Sequence, residues 1–176
     1  MEYDLHSYQE EKPYRLRRNI WYFLNIIFFP LLSNRWRIGL LRFMGADIGK
    51  LCRIYRSVRI YAPWNLVLGN KVCIGPFVNV YNKGQVKVGS NVIISQNTYI
   101  CTASHDISSP VMRLVVHPID IGSKVWIAAK ATILPGVVVG DGCVVGACAV
   151  VSKNAPQWSV VVGNPARVVG ERELHD

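Results

Sequence analysis

Large aliphatic residues recur every six positions along most of this chain. From Ile121 onward the sequence divides into IGSKVW, IAAKAT, ILPGVV, VGDGCV, VGACAV and VSKNAP, each of which begins with Ile or Val. The fifth residue of these groups is Val, Ala or Cys. A helix requires a period of 3.6 and an alternating strand a period of 2, so a period of six indicates a short strand followed by a turn.

The same period extends upstream to Ile48. Nine groups run from Ile48 through the group that begins at Ile100, with two extra residues after every third group, and the whole chain has fifteen groups. If three strands make one triangular coil, fifteen groups make about five coils, each stabilised by its neighbours. We therefore predict an all-β parallel β-helix solenoid with its aliphatic residues stacked inside. A glycine-type residue after each aliphatic would let the chain bend at the corners.

The regular spacing has one long interruption, between Ile100 and Ile121. This interval spans 21 residues where six are expected, which places a long inserted loop at residues 106–120. His105 closes the group directly before the loop. Because loops that leave a regular scaffold often carry function, we predict the chemistry at this break.

The N-terminal segment, residues 1–46, differs in composition from the repeat domain at 47–170 and the polar tail at 171–176. Residues 13–46 contain an apolar run, several arginines and aromatic residues, and no Asp or Glu. The apolar run covers about thirteen residues, whereas a helix that spans a membrane needs roughly 20. The segment is therefore predicted to be helical and either to cap the open solenoid, to contact a membrane surface, or both.

Charge and cysteine content narrow the range of functions. The formal net charge of +9 at pH 7 favours an anionic partner such as nucleotide phosphates or a membrane surface. No nucleic-acid-binding signature accompanies this charge, so nucleic acid is not an expected partner. Five cysteines without a CxxC spacing argue against a disulfide framework and a zinc ribbon. We expect the two at fifth positions, Cys52 and Cys143, to be buried thiols in a reducing, cytoplasmic compartment, and no signal peptide is evident.

Several short motifs make the chain resemble a known family. They are SQNTYICTASHD at 95–106, VWIAA at 125–129, ILPGV at 133–137, VGA at 145–147, VVSK at 150–153 and GNPAR at 163–167. Together with the repeat, they resemble the hexapeptide-repeat acyltransferases of the maltose, galactoside and nodulation O-acetyltransferase group, and most of all those of colanic-acid and exopolysaccharide biosynthesis. The resemblance implies a left-handed coil, acetyl-CoA as co-substrate without a metal, and a homotrimer.

The same resemblance implies roles for residues around the break. His105 matches the general base that deprotonates a sugar hydroxyl, which then attacks the thioester directly. Apart from the resemblance, Ser104 or Asp106 could orient the imidazole ring, because they flank His105 in the sequence. Asn82, one coil away from His105, and Asp106 are the candidate contacts of the acceptor. Galactoside-type relatives use an asparagine where this chain has Gly75, which leaves the identity of the acceptor sugar open.

A further set of residues matches the co-substrate contacts of the family. The pantetheine contacts are expected at Trp126, Ala129 and Ala147, and the nucleotide contacts at Ser152, Lys153 and Arg167. Lys and Arg are the side chains that phosphates require. Trp126 could alternatively pack between subunits.

Two other classes of function are weaker alternatives on this scaffold. A γ-carbonic-anhydrase-like metalloenzyme needs three histidine ligands around zinc, and the repeat domain contains only His105 and His117. A non-enzymatic binder of anionic lipid or nucleotide would rely on the charge alone. The leading hypothesis is an O-acetyltransferase acting on a sugar or lipid-linked saccharide of surface polysaccharide biosynthesis. If residues 13–46 contact a membrane, they would hold it at the inner face of the plasma membrane.

Overall fold

The computed structural model describes residues 12–174, with side chains from residue 14 onward. Its N-terminal part contains α1 (Lys12–Ile27), a 3-10 turn (Phe29–Leu31) and α2 (Asn34–Phe43), and a second 3-10 turn lies at Pro63–Asn65. The predicted helical character of the N-terminal segment is thus observed from residue 12. The preceding residues lie outside the described part.

Nineteen short strands follow within the described residues. In chain order they are β1 (Asp47–Ile48), β2 (Arg53–Ile54), β3 (Arg59–Ile60), β4 (Leu66–Leu68), β5 (Cys73–Ile74), β6 (Asn79–Tyr81), β7 (Val86–Val88), β8 (Ile93–Ile94), β9 (Tyr99–Cys101), β10 (Ala103–His105), β11 (Leu114–Val116), β12 (Ile119–Ile121), β13 (Trp126–Ile127), β14 (Thr132–Ile133), β15 (Val138–Val139), β16 (Val144–Val145), β17 (Val150–Val151), β18 (Ser159–Val162) and β19 (Arg167–Glu171).

These strands stack into three parallel faces. Face 1 consists of β1, β4, β7, β12 and β15, and face 3 of β3, β6, β9, β14 and β17. Face 2 consists of β2, β5, β8, β13, β16 and β18, and β19 pairs with β18 in antiparallel orientation. Between residues 12 and 174 the chain therefore completes five coils, as predicted. A bridge from Ala155 to Val139, followed by β18, begins a sixth coil.

The hexapeptide register determines which side chains fill the interior. Every first-position aliphatic residue from Ile48 to Val151 is buried. The fifth positions are buried as well, and the exceptions are Trp64, Gly84 and Ser104. All three exceptions lie in the third group of a coil. In these groups the residue at the third position is completely buried instead, namely Ala62, Asn82 and Thr102.

The corners are turned by residues at the fourth position of the groups. Leu51, Phe77 and Lys130, for example, have φ angles of 58°, 59° and 59°. The expectation that second-position glycines provide the bend is wrong, since Gly49 and Gly69 do not have positive φ. They are small for another reason. A Cβ added to Gly69 would lie 2.7 Å from the carbonyl carbon of Gly89 in the next coil, and stacked strands leave no room for it.

The N-terminal helices cover the first coil. Trp21, Phe29 and Leu41 are almost fully buried in the same core cluster as the first strands. The indole Nε1–H of Trp21 donates to the carbonyl of Ile60 over 2.7 Å, so this buried polar group is satisfied. The segment therefore covers the first coil, as expected for one of the two roles that the sequence left open. No helix between residues 12 and 174 is long and apolar enough to cross a membrane.

The other end of the solenoid is closed by β18 and β19. β18 pairs in parallel with β16 and in antiparallel orientation with β19. The supposed tail is anchored as well, because the backbone N–H of Arg172 donates to Trp158 O over 2.7 Å and its guanidinium donates to Lys124 O over 2.6 Å. The part of 171–176 that the structure describes is therefore attached to the last coils.

Candidate active site

The inserted residues form a β-hairpin rather than an irregular loop. β10 pairs with β11 in antiparallel register, with Ala103 opposite Val116 and His105 opposite Leu114. At its tip, the backbone N–H of Asp106 donates to Arg113 O over 2.8 Å, and the Asp106 carboxylate accepts the N–H of Ser108 over 2.9 Å. The chain then returns to face 1 at β12. His105 is therefore the last residue of β10, a strand held in place by its pairing with β11.

The base of the hairpin is anchored to the solenoid. Thr102 Oγ1 accepts the backbone N–H of Gly84 over 2.9 Å, and the carbonyl of Thr102 accepts the N–H of His117 over 2.9 Å. Val116 packs so closely that a Cβ added to Gly84 would lie 2.8 Å from its Cγ1. These contacts attach the hairpin that carries the exposed His105 side chain to the neighbouring coil.

One hydrogen bond determines the tautomer of His105. Its Nδ1 lies 2.5 Å from the carbonyl oxygen of Met112, across the hairpin. A carbonyl can only accept, so Nδ1 carries the proton and the neutral ring has its lone pair on Nε2. Met112 has a φ of 50°, an uncommon conformation for a side-chain-bearing residue. The exposed imidazole is therefore ready to accept a proton at Nε2.

This contact corrects the expected orientation of the ring. Ser104 or Asp106 was expected to orient the ring, whereas Nδ1 is hydrogen-bonded to a backbone carbonyl. The Asp106 carboxylate accepts from Ser108 and thereby shapes the turn. Every residue has a carbonyl, so no pattern in the sequence could have indicated Met112.

Asn82 lies inside the solenoid and not at the site. It has no exposed surface. Its Oδ1 accepts the N–H of Ala62 over 3.0 Å and its Nδ2 donates to Ala62 O over 2.6 Å. The prediction that Asn82 contacts the acceptor is therefore not supported by the structure, because its amide replaces a missing backbone partner at an irregular corner.

Cys101 and Tyr99 lie on β9, close to the hairpin. The Cys101 thiol is buried and donates to Ala103 O over 3.0 Å. Burial raises the pKa of the Tyr99 phenol, and a hydrogen bond with Cys101 raises it further. A buried thiol engaged in this way is poorly placed to act as a nucleophile.

The predicted pantetheine residues share one side of the solenoid. Trp126 is 45% exposed on face 2, and its indole N–H donates to Ser95 Oγ over 3.1 Å. Ala129 and Ala147 occupy the corner between faces 2 and 3 in consecutive coils. The two coils are joined there by the N–H of Cys148, which donates to Ala129 O over 2.9 Å.

The predicted nucleotide residues lie near the C-terminal end. Lys153 and Arg167 are exposed and line the same depression of about 250 Å³, together with Asn154 and apolar residues. No carboxylate of residues 14–174 lines it. Ser152 is exposed next to it in the chain but does not line it. Two cations without an acidic neighbour fit a phosphate-bearing group.

No group of three His, Cys, Asp or Glu side chains within residues 14–174 is close enough together to hold a metal ion. The five cysteines are all free. Burial raises the pKa of the Cys143 thiol, which agrees with the prediction that the fifth-position cysteines are buried thiols.

The coil register and the histidine-bearing hairpin define the class, a hexapeptide-repeat transferase. The model of the family described as bacterial transferase hexapeptide (six repeats) matches residues 118–153. Over 176 residues the chain is 40% identical to the Escherichia coli K12 protein named "Putative colanic acid biosynthesis acetyltransferase WcaF", with 96% of this chain and 97% of that protein covered. This chain belongs to the hexapeptide-repeat acetyltransferase family.

Solved structures agree with this assignment. A galactoside acetyltransferase in complex with coenzyme A is 26% identical, with a TM-score of 0.85 and coverage of 93% of this chain and 84% of that one. A hexapeptide-repeat acetyltransferase of Vibrio cholerae complexed with acetyl-coenzyme A is 25% identical, with a TM-score of 0.85 and coverage of 94% and 91%. The predictions of family and of the β-helix fold are confirmed.

Proposed function

We propose that this chain transfers the acetyl group of acetyl-CoA to a hydroxyl group of a sugar in surface polysaccharide biosynthesis, with His105 as general base. The observation that carries the proposal is the hydrogen bond from His105 Nδ1 to Met112 O, which leaves Nε2 as the acceptor on an exposed ring. The similarity to a protein named for colanic acid biosynthesis supports a saccharide acceptor.

His105 would act by holding and moving one proton. A sugar hydroxyl donates to Nε2, and the proton moves onto the ring as the hydroxyl oxygen becomes a nucleophile. The Met112 carbonyl stabilises the imidazolium, because its hydrogen bond with Nδ1–H becomes charge-assisted. When bound, acetyl-CoA would supply the electrophilic thioester carbon. Its C–S bond would break as the ester forms, and His105 would return the proton to the leaving coenzyme A thiolate. Asp106, half-buried at the hairpin tip, is a proposed acceptor contact through its second carboxylate oxygen.

Release of free coenzyme A thiol tests this function directly. The purified chain is incubated with acetyl-CoA and a panel of free sugars and lipid-linked oligosaccharides, and the products are analysed by mass spectrometry. We expect one class of saccharide to gain an O-acetyl group. Thiol release without any acetylated saccharide, or acetylation of amines alone, would contradict the proposal.

Lys153 and Arg167 are proposed to hold the phosphates of the nucleotide end. Replacing both with alanine is expected to raise the KM for acetyl-CoA by about tenfold or more, since each charge-assisted bond contributes on the order of 1.5–3 kcal/mol. The change in kcat should stay within about twofold, because neither side chain lies on the hairpin. Lys87→Ala, an exposed cation on β7, is the matched control. An equal rise in the KM for acetyl-CoA in Lys87→Ala would contradict the assignment of Lys153 and Arg167 to the phosphates.

Trp126, Ala129 and Ala147 are proposed to line the pantetheine arm, with Ser152 near the nucleotide. The family resemblance further implies a homotrimer in which the side of the solenoid that carries these residues faces a second subunit. Light scattering should then give a mass three times that of the chain. A monomeric mass for the active enzyme would exclude a shared site.

The outer side of the N-terminal helices is proposed to contact the inner face of the plasma membrane. Leu31 is 80% exposed and Phe43 84% exposed, and basic side chains such as Arg35 and Arg42 lie on the same segment. Exposed apolar residues next to cations are typical of surfaces that bind anionic bilayers.

Substituting Leu31 and Phe43 with serine is expected to reduce sedimentation with anionic vesicles several-fold, because each substitution removes apolar side-chain area that would contact lipid. The fold should persist because neither side chain is buried. Val168→Ser, an exposed position at the opposite end, serves as the control. Unchanged sedimentation of the double variant would end this part of the proposal.

A further inference from the structure

A cavity of about 530 Å³ lies between α1 and the corner that joins faces 2 and 3 in the first two coils. Its lining includes Tyr22, Asn25 and Ile26 from α1, and Arg56, Arg59 and Phe77 from the solenoid. None of its residues belongs to the hairpin or to the depression with Lys153 and Arg167. The acetyl-transfer site therefore does not account for this cavity.

The charge around the cavity is strongly one-sided. The side chains of Arg56 and Arg59 are exposed and have no hydrogen bond or ion pair within residues 14–174. Between residues 12 and 105 Asp47 is the only acid, against fourteen Lys or Arg. Burial lowers the pKa of Arg37, and the positive charge of Arg56 lowers it further. Arg37 does not line the cavity, but its repulsion from Arg56 would be reduced by an anion bound to Arg56.

The rest of the lining is apolar and contains one unsatisfied acceptor. Tyr22, Ile26 and Phe77 are large hydrophobic residues that are each more than half exposed. The corner turn holds Phe77 outward with a φ of 59°, and its N–H donates to Ser57 Oγ over 3.0 Å. Asn25 Oδ1 is buried and accepts no hydrogen bond within the described residues. Such a lining suits a ligand with a hydrocarbon chain.

We propose that this cavity binds a lipid that carries a phosphate monoester or a diphosphate. The phosphate lies between Arg56 and Arg59, and the chain lies along Tyr22, Ile26 and Phe77. Two guanidinium groups match the two or more negative charges of such a headgroup, whereas a phosphodiester lipid carries one. The inference rests on the proposed function and deepens it, because the acceptor would then belong to the saccharides attached to a lipid through phosphate.

Farnesyl diphosphate is a suitable soluble probe because it combines one apolar chain with a diphosphate. Isothermal titration with the full chain is expected to show binding at least tenfold tighter than that of inorganic pyrophosphate or of farnesol. The double variant R56Q/R59Q should weaken binding about tenfold or more, which corresponds to roughly 1.4 kcal/mol. The control K50Q/K87Q removes two exposed cations outside the cavity and should bind as the wild type does.

Four outcomes would overturn the proposal. Pyrophosphate that binds as tightly as the probe would indicate a simple anion patch, and equal weakening in K50Q/K87Q would indicate net charge alone. Displacement of the probe by excess coenzyme A would place it at the nucleotide end. A changed oligomeric mass of R56Q/R59Q in light scattering would make the cavity a subunit contact. Acetyl transfer by the wild type to a soluble sugar is measured in parallel. Absence of this transfer would contradict the proposed function, whereas absence of probe binding alone would contradict only the lipid site.

Discussion

Replacing His105 with alanine is expected to lower kcat for acetyl transfer by about 10³-fold, within the range that a positioned general base contributes. The KM for acetyl-CoA should change little, because the proposed contacts of that molecule lie on other coils. Nε2 is available as a base only because Nδ1–H is donated to Met112 O. Initial rates of thiol release with a saturating saccharide measure this effect.

His105→Asn separates a chemical role of the ring from a structural one. Asparagine can still donate a hydrogen bond near the Met112 carbonyl, but it cannot take up a proton. We expect the same loss of kcat as in His105→Ala, with a melting temperature close to that of the wild type. His117→Ala is the matched control, since His117 is exposed and uses its backbone N–H for its contact with Thr102. Substantial activity in His105→Asn would exclude the general-base assignment.

Gly69→Ala is expected to destabilise the protein by about 2–3 kcal/mol, the range for overpacking against an unyielding neighbour. The added methyl would lie 2.7 Å from the Gly89 carbonyl carbon and 2.8 Å from the Ser90 nitrogen. Both are backbone atoms of the next coil, and that coil is hydrogen-bonded to Gly69 through the carbonyl of Val88. Relief would therefore require separation of two stacked strands.

Gly39→Ala provides the matched control for this prediction. Gly39 lies within α2, and a Cβ added there meets nothing within 4 Å. Alanine in an exposed helical position stabilises by about 0.5–1 kcal/mol relative to glycine. The urea midpoint, followed by far-ultraviolet circular dichroism, should therefore fall for Gly69→Ala and rise slightly for Gly39→Ala. Midpoints that move together would show that inter-coil spacing is not what requires glycine at position 69.

The period of six was sufficient to predict the β-helix, since it specifies which side chains face inward whatever the neighbouring coil contains. Burial of the first positions from Ile48 to Val151 follows this register. The period also located the break at His105. It did not explain the glycines correctly, because a small residue required by a turn and one required by a close neighbour look the same in a sequence.

Asn82 illustrates the limit of the motif. Its polar side chain, one coil away from His105, suggested a contact with the acceptor, but the irregular third-group corner turns position three inward. Buried polar atoms need partners, and Asn82 finds them on the Ala62 backbone one coil away. Only the stacking of the two coils decides between the two roles.

The sequence by itself determined the repeat register, the family, the position of the catalytic candidate and the basic character of the N-terminal half. Tertiary structure decided which atoms meet. Three features join segments whose relative position the periodicity does not specify. They are the hydrogen bond between His105 and the Met112 carbonyl, the contact between Gly69 and the Gly89 backbone, and the cavity between α1 and Arg56. The physical reason is that periodicity records whether a side chain faces the core, whereas hydrogen bonds and steric contacts depend on the neighbouring coil, hairpin or helix.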